Sequence, residues 1–141
     1  ICGIIAVEMF LTNEDEILIN EVAPRPHNSY HFSIEGSYTS QFEQFLRAIL
    51  DLPLGSTKIL QNSVMVNLVG KENSKGIVES KNFDQIIGIE GVNPHIYGKF
   101  ETRPNRKMGH ITIINEDIDL AKRIAKEIKE TVIITTKKWV K

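Results

Sequence analysis

The sequence lacks several features that would direct it to particular classes of protein. It has a single cysteine among 141 residues, which excludes an internal disulfide framework. No stretch approaches the ~18–20 apolar residues that a membrane-spanning helix needs, and no signal-peptide pattern is present. Lys plus Arg number 17 and Asp plus Glu 18, so the net charge of −1 offers no general attraction for nucleic acid or a membrane. We therefore expect a cytoplasmic protein that binds neither.

A glycine-rich phosphate-binding loop is also missing from the sequence. With 41% hydrophobic and 25% charged residues, the chain fits one domain or one lobe of a larger protein. It opens on the apolar residues 1–7, which already have the character of a strand, with no Met and no polar lead-in. We therefore expect a piece of a longer protein whose amino-terminal part is missing from this chain.

The hydrophobic pattern predicts an α+β fold with a mostly antiparallel sheet and flanking helices, because the strands come as hairpins. Residues 2–11 are apolar on both alternating faces, which is typical of a strand covered on both sides. Ser40 and Glu43 form a capping box ahead of a helix with one apolar face. The remaining predicted elements are a turn at 12–16, strands at 17–23, 57–69, 95–99, 109–114 and 132–136, a short helix at 82–88, a basic loop at 100–108 and a final helix at 116–131.

Two carboxylates face each other in the predicted hairpin. If Thr12 pairs with Ile17 across a four-residue turn, Glu8 lies directly opposite Glu21. Side chains opposed in this way have Cβ atoms ~4.5–5.5 Å apart, and like charges there repel. A divalent cation such as Mg²⁺ would offset the repulsion with hard oxygen ligands. The alternatives are that one Glu pairs with an arginine such as Arg25, or that the register differs and one Glu faces solvent.

A loop bracketed by prolines follows the second strand. Pro24 and Pro26 fix their own φ angles and hold the residues before them extended. Arg25, His27 and Asn28 then project from a stiff turn, where the arginine can bind a carboxylate or phosphate with two hydrogen bonds. The alternative is a rigid surface loop in which the arginine has a structural role.

A second candidate site is the basic loop near the end of the chain. Lys99, Arg103, Arg106 and Lys107 lie within nine residues of one another, and turn-forming residues between them can direct several cations at one point. A phosphate monoester is a suitable target. The alternative is a solvated, charged loop without a ligand.

Three segments resemble one known family. IAVEMF followed by NEVAPRPHNSYH resembles the distal metal and substrate segment of ATP-grasp enzymes, most of all N5-carboxyaminoimidazole ribonucleotide synthetases of purine biosynthesis. The likeness continues through SQFEQF, the LPLG that ends the helix, and HIYGKFETRPNRKMGHITI, over about residues 1–115. The resemblance implies that residues 1–55 are the distal part of an ATP-grasp domain and residues 56–141 a small carboxyl-terminal subdomain.

The resemblance also implies roles for the candidate residues. Glu8 and Glu21 would hold Mg²⁺ at the ATP phosphates, and the loop residues Arg25, His27 and Asn28 would face bicarbonate and the carboxyphosphate made from it. The matching basic residues for the ribotide phosphate are Lys99 and Arg106, with Arg103 and Lys107 beside them. The substrates would be ATP, bicarbonate and 5-aminoimidazole ribonucleotide. The enzyme is expected to be a homodimer, and this chain is expected to be inactive without its amino-terminal part.

The chain departs from the family pattern at two positions. Ala23 stands where many ATP-grasp enzymes have an Asn ligand, so metal binding rests on two carboxylates. Tyr30 stands where the family usually has Gly after HNS, which puts the placement of Asn28 and Ser29 in doubt. Two other hypotheses stay open: a relative of formate-dependent glycinamide ribonucleotide transformylase, which usually has Asp-Thr-Gly where this chain has Asn28-Ser29, and a non-catalytic lobe that binds a phosphorylated ligand.

Overall fold

The computed structural model describes residues 2–137, so Trp139 and the end of the basic tail, for which the sequence suggests no role, lie outside the described residues. Within that range the chain has an α+β fold, and the strand pairs are antiparallel, as predicted. The strands are β1 (Ala6–Leu11), β2 (Ile17–Ala23), β3 (Ser63–Val69), β4 (Gly76–Lys81), β5 (Val92–Ile96), β6 (Glu101–Thr102), β7 (Lys107–Ile114) and β8 (Ile133–Thr136). The helices are α1 (Ser33–Gly36), α2 (Gln41–Ile49) and α3 (Ile118–Thr131).

The chain divides into two compact units, one that ends at Leu60 and one that begins at Gln61. The sequence-based division after residue 55 lies five residues earlier. The intervening segment belongs to the first unit because Ile59 forms a bridge with Ser37 and the Leu60 N–H donates to the Gly36 carbonyl at 2.8 Å. The roles assigned to the two parts stay predictions.

The predicted hairpin is present as β1 and β2, with a different turn. Leu11, and not Thr12, pairs with Ile17, so five residues form the turn. The Thr12 N–H donates to the Glu16 carbonyl at 2.9 Å, and Asp15 takes a positive φ of 60° within the turn. The predicted register is therefore wrong next to the turn, although an irregularity farther along restores it at the acidic residues.

The apolar pattern of the first strand does not correspond to burial. β1 begins at Ala6, four residues later than predicted, after Gly3 with a φ of 139°. Among the described residues its sheet has two strands, and side chains on both faces are open to solvent, such as Met9 at 54% exposure on one face and Phe10 at 57% on the other. The expectation of a strand covered on both sides is therefore wrong for the described residues.

The capping box predicted the helix of the first unit correctly. The Glu43 N–H donates to Ser40 Oγ at 3.2 Å, and α2 runs from Gln41 to Ile49. Asp51, with a φ of 53°, then turns the chain so that the Leu52 N–H donates to the Arg47 carbonyl at 2.8 Å. This closing bond satisfies a carbonyl that a helix end otherwise leaves unpaired.

The core of the second unit lies between a sheet and α3. The sheet has the strand order β3-β7-β5, and a second sheet has the order β6-β4-β8. Ile111 and Ile113 of β7 and Ala121 and Ile128 of α3 are all completely buried. Within residues 2–137, none of the helices could span a lipid bilayer.

Several predicted elements of the second unit need correction. β4 was not predicted, because its charged residues and initial glycine obscure the alternation expected of a strand. The predicted strand at 95–99 is β5, which lies earlier and ends before Gly98 with its φ of 66°. Part of the basic loop is extended, as β6 and the beginning of β7. The predicted helix at 82–88 is a 3₁₀ turn at Phe83–Gln85, and α3 begins two residues late because the Asp117 side chain caps it.

Replacing Ile111 by Ala tests this core. The side chain is fully buried, so its removal leaves a cavity and lowers the free energy of unfolding by about 2–5 kcal/mol. The matched control is Ile87→Ala, since Ile87 is 62% exposed, and the change there should be below about 1 kcal/mol. Urea unfolding followed by circular dichroism measures both, and equal losses would contradict the assigned core.

Candidate functional site

Glu8 and Glu21 are direct cross-strand neighbours in the hairpin. The register near the turn would place Glu8 opposite Asn20, but it shifts between Glu8 and Met9. Asn20 is the extra residue of this β-bulge, and the shift brings the two glutamates opposite each other. The predicted pairing of the carboxylates is confirmed, although the bulge that produces it was not predicted.

His27 joins the two carboxylates from the loop after β2. Its Nε2 lies 2.8 Å from Glu21 Oε1 and 3.9 Å from Glu8 Oε2. One ligand atom from each of the three residues lies within 4.8 Å of the others. The imidazole is buried, whereas the side chains of Glu8 and Glu21 are 41% and 53% exposed. The cluster is therefore closed on the side of the histidine and open on the side of the glutamates.

The hydrogen bonds of His27 indicate which nitrogen bears the proton. Nδ1 accepts the Ser29 N–H at 3.4 Å, so the proton of the neutral ring belongs on Nε2, which donates to Glu21. A protonated Nε2 has no lone pair for a metal. The donor set thus consists of two carboxylates with the imidazole as an orienting neighbour.

Asn20 is a member of the site that the sequence pattern did not reveal. Its Nδ2 donates to Glu8 Oε1 at 2.6 Å. Each glutamate thus has one neutral donor, Asn20 for Glu8 and His27 for Glu21, and the other carboxylate oxygen remains for a ligand. The available signal was a polar residue beside Glu21 in an otherwise apolar strand, which does not by itself distinguish a bulge from a solvent-facing position.

This arrangement fits a hard divalent cation. Carboxylate oxygens are the protein ligands that Mg²⁺ prefers, and it usually takes one or two of them together with water or phosphate oxygens. Opposed carboxylates repel when no cation lies between them. The partial exposure of both glutamates leaves access for the phosphate groups that would complete such a site.

Arg25 lies at the rim of a cavity next to the cluster. Its N–H donates to the Ala23 carbonyl at 2.9 Å, and its Nη1 donates to the Pro26 carbonyl at 3.0 Å. The side chain contributes to the lining of a cavity of about 410 Å³. A neighbouring cavity of about 370 Å³ is lined by Glu8 and His27. The alternative of an ion pair between Arg25 and a glutamate is not observed in the described part of the chain.

Asn28, Ser29 and Tyr30 form a 3₁₀ turn after the prolines. The φ angle of Tyr30 is not positive, so its Cβ causes no backbone strain here. Its side chain is about half exposed and lines both cavities. Tyr30 therefore fills space beside the cluster of Glu8, Glu21 and His27.

In the second unit, the candidate phosphate-binding residues lie at one end of the β5–β7 pair. The strands are antiparallel, so the residues after β5 lie beside the residues at the beginning of β7. Lys99 Nζ donates to the Lys107 carbonyl at 2.6 Å and lies 5.4 Å from the centre of the Tyr97 ring. Both contacts hold the ammonium group of Lys99 beside the start of β7.

Arg106 ends a tight turn that begins at Arg103. The Arg106 N–H donates to the Arg103 carbonyl at 3.0 Å, with Pro104 second and Asn105 third at a φ of 60°, as in a type II turn. Arg106 Nη1 donates to the Glu101 carbonyl at 2.9 Å. The turn was indicated by Pro104 and Asn105 in the sequence, and it fixes the direction of the guanidinium group.

Tyr97 is a further polar residue of this region that the sequence did not single out. Its hydroxyl forms a 2.9 Å hydrogen bond with Nδ1 of His110, a buried residue whose ring stacks on His95 at 4.5 Å between centroids. Burial raises the pKa of the Tyr97 hydroxyl, which therefore stays protonated at neutral pH. His110 is thus a packed histidine, and it supports the Tyr97 ring that lies beside Lys99.

Two family descriptions match this chain. Residues 1–42 match the ATP-grasp domain, and residues 63–124 match the phosphoribosylaminoimidazole carboxylase C-terminal domain. The cross-strand glutamates and the proline-bracketed loop thus lie in a segment of the ATP-grasp class. Within that class, the chain belongs to the N5-carboxyaminoimidazole ribonucleotide synthetase family, as the sequence motifs predicted.

Individual relatives agree with this assignment. The N5-carboxyaminoimidazole ribonucleotide synthase of Bacillus subtilis is 47% identical over 117 residues, which are 83% of this chain and 29% of that protein. The phosphoribosylaminoimidazole carboxylase of Saccharomyces cerevisiae is 47% identical over 118 residues, which are 80% of this chain and 20% of that protein. This chain therefore spans less than a third of the length of these two curated relatives.

Solved structures give the same result. The N5-carboxyaminoimidazole ribonucleotide synthetase of Thermotoga maritima superposes with a TM-score of 0.91 and 49% identity, over 96% of this chain and 38% of that one. The Aspergillus clavatus enzyme, solved with ADP and 5-aminoimidazole ribonucleotide, has a TM-score of 0.77 and 36% identity, over 91% of this chain and 34% of that one.

Replacing Glu21 by Gln tests the carboxylate cluster as a cation site. The change keeps the size of the side chain but removes one of two anionic ligands, so the affinity of the 141-residue chain for Mn²⁺ should fall by at least about tenfold. Electron paramagnetic resonance of free Mn²⁺ measures the affinity. Glu16→Gln, in the turn of the same hairpin, is the control and should leave it unchanged; equal effects would show nonspecific attraction to acidic residues.

Proposed function

We propose that this chain is part of an ATP-dependent carbon–nitrogen ligase of purine biosynthesis that carboxylates the amine of 5-aminoimidazole ribonucleotide. The observation that supports it best is the cluster of Glu8, Glu21 and His27, formed by a bulged hairpin and the proline-bracketed loop. Relatives that are 47% and 49% identical over the matched residues are named N5-carboxyaminoimidazole ribonucleotide synthase and synthetase. Because the chain spans only part of them, complete activity is expected to require the segments that this chain does not include.

The proposed reaction has two steps. The terminal phosphoryl group of ATP moves to a bicarbonate oxygen, which gives carboxyphosphate and ADP. The amine nitrogen of the ribotide then bonds to the carboxyl carbon as the bond from that carbon to the phosphate oxygen breaks, and the nitrogen loses a proton. Phosphoryl transfer of this kind depends on positioning and charge neutralisation more than on covalent help from the protein.

Glu8 and Glu21 are proposed to hold Mg²⁺ at the ATP phosphates. A cation there neutralises charge that develops on the transferred phosphoryl group. Asn20 and His27 each bind one oxygen of a carboxylate, which leaves the second oxygen of each glutamate for a ligand. No Asn ligand follows the second glutamate, because Ala23 occupies that position.

The loop residues are proposed to bind bicarbonate and carboxyphosphate. Arg25 offers a guanidinium group at the rim of the larger cavity, which suits the binding of a small anion. His27 lines the neighbouring cavity with Glu8, and its Nε2–H donates to Glu21. Asn28 follows in the 3₁₀ turn, and the bulk of Tyr30 limits the water that reaches a reactive acyl phosphate.

The second unit is proposed to bind the phosphate of the ribotide. Lys99 and Arg106 already donate hydrogen bonds to backbone carbonyls, which pre-organises both cations before a ligand arrives. Arg103 and Lys107 flank them and add positive charge. A homodimer and a cytoplasmic location are further proposals that depend on the family resemblance.

The two alternatives are less well supported. Asn28-Ser29 departs from the Asp-Thr-Gly of formate-dependent glycinamide ribonucleotide transformylase. A non-catalytic lobe would gain nothing from two opposed carboxylates that each require a neutral donor. Under the ligase hypothesis, the carboxylates bind a cation and the neutral donors hold the carboxylates in place.

A substrate comparison tests the proposed reaction. A chimera of the Thermotoga maritima enzyme, with its matching segment replaced by this chain, should release ADP when aminoimidazole ribonucleotide and bicarbonate are added. A coupled assay for ADP measures the rate. Stimulation by glycinamide ribonucleotide with formate instead would refute the proposal, and the unaltered Thermotoga maritima enzyme controls for the assay.

Replacing Lys99 or Arg106 by Ala in the chimera tests the ribotide site. Each change removes a charge-assisted hydrogen bond of about 1.5–3 kcal/mol, so KM for the ribotide should rise about 10- to 150-fold. KM for ATP should change less than about threefold. Arg123→Ala on α3 removes an exposed arginine and should leave both constants unchanged. A uniform loss of turnover with unaltered KM values would exclude a phosphate-binding role.

A further inference from the structure

The side chain of Gln41 forms a pair of hydrogen bonds with the backbone of His27. Its Oε1 accepts the His27 N–H at 2.8 Å, and its Nε2 donates to the His27 carbonyl at 2.8 Å. Gln41 is only 5% exposed and His27 only 8%. A single buried amide thus pairs with both backbone polar groups of one loop residue, and its loss would leave the buried His27 N–H without this acceptor.

Gln41 is itself held by its surroundings. It is the first residue of α2, and its N–H, which has no partner within the helix, donates to Ser33 Oγ at 3.0 Å. Ser33 Oγ donates in turn to the Tyr30 carbonyl at 2.6 Å, and the second hydrogen of Gln41 Nε2 goes to His31 Nδ1 at 2.8 Å. The amide therefore has a single orientation, fixed by the helix and by the far end of the loop.

These contacts supply a constraint that the prolines do not provide. Pro24 and Pro26 fix their own φ angles and limit the residues before them, but neither restricts His27 directly. His27 has a φ of −116° and a ψ of 147°, and the Gln41 amide pairs with both of its peptide groups. The imidazole then reaches Glu21 at 2.8 Å.

We propose that Gln41 is a positioning residue that fixes the backbone of His27 and thereby places the imidazole between the metal carboxylates and the bicarbonate site. This inference rests on the function proposed above for that site. Gln41 binds the main chain of His27, so it acts on the geometry of the loop. Loss of the amide should let the loop shift by an amount of the order of 1 Å, which can cost about 100-fold in rate.

The same helix offers a matched control. Gln44, three residues later, also pairs its amide with one backbone residue: Oε1 accepts the Gly55 N–H at 3.0 Å, and Nε2 donates to the Gly55 carbonyl at 2.7 Å. The chemistry and the supporting helix are the same, but Gly55 lies in the segment after α2 and not in the loop of the cluster. A purely structural role for Gln41 predicts equal consequences at both positions.

The variants Gln41→Ala, Gln41→Glu and Gln44→Ala in the Thermotoga maritima chimera separate the two explanations. Gln41→Ala and Gln44→Ala should lower Tm by similar amounts, since each removes a comparable pair of hydrogen bonds. Gln41→Ala should lower kcat/KM for bicarbonate about 10- to 100-fold, whereas Gln44→Ala should lower it less than about threefold. Gln41→Glu keeps the acceptor for the His27 N–H and loses the donor, so its effect should lie between them.

A loss of kcat/KM for bicarbonate that is equal in Gln41→Ala and Gln44→Ala would overturn the proposal. A chimera with no ribotide-dependent ADP release would instead count against the proposed function. In that case the positioning role is tested on the 141-residue chain by NMR of the His27 imidazole, whose Nε2–H signal reports the hydrogen bond to Glu21. Gln41→Ala or, if it does not fold, Gln41→Glu should shift or remove that signal, which Gln44→Ala preserves, and an unchanged signal in the Gln41 variant would refute the role.

Discussion

Electrostatic repulsion between Glu8 and Glu21 is the constraint around which the first unit is arranged. Two carboxylates in direct opposition across a hairpin destabilise it, and no arginine or lysine among the described residues neutralises them. The chain instead supplies two neutral donors, Asn20 from the bulge and His27 from the loop. The net negative charge of the pair is therefore retained, as a cation site requires, and the two side chains are still held in place.

The same constraint explains why the loop needs support from α2. A histidine that donates to a glutamate keeps this contact only if its backbone stays in position, because a change in its φ or ψ angle would move the imidazole away. Two prolines stiffen the approach, and a buried helix residue holds the histidine itself. The two carboxylates are thus held by neutral hydrogen-bond donors, and one of these donors is fixed by a helix. Such contacts orient a carboxylate without removing its charge.

Much of this could be predicted from the sequence, and the failures have physical causes. The capping residue Ser40 and the helix after it follow from local rules of spacing, whereas the opposition of Glu8 and Glu21 was predicted through a four-residue turn that the structure does not have. The bulge at Asn20 could not be predicted. The fifth residue of the turn shifts the pairing by one position and the bulge shifts it back, so Glu8 lies opposite Glu21 with or without both. Contacts such as that of Gln41 with His27 join residues 14 apart, and a glutamine at the start of a helix looks like any solvated one. The charged strand β4 was missed because its pairing with β8, and not its own alternation, stabilises it.

The exposed hairpin has a consequence for how this polypeptide behaves as a separate molecule. Among the described residues its sheet contains only β1 and β2, with apolar side chains on both faces and an unpaired backbone edge on each strand. Unpaired edges next to apolar faces are templates for pairing with other chains, and a two-stranded sheet is marginally stable in water. Produced alone at high concentration, the polypeptide would therefore be prone to self-association through this hairpin. The surface that carries the acidic cluster is thus also the surface where solubility is hardest to maintain.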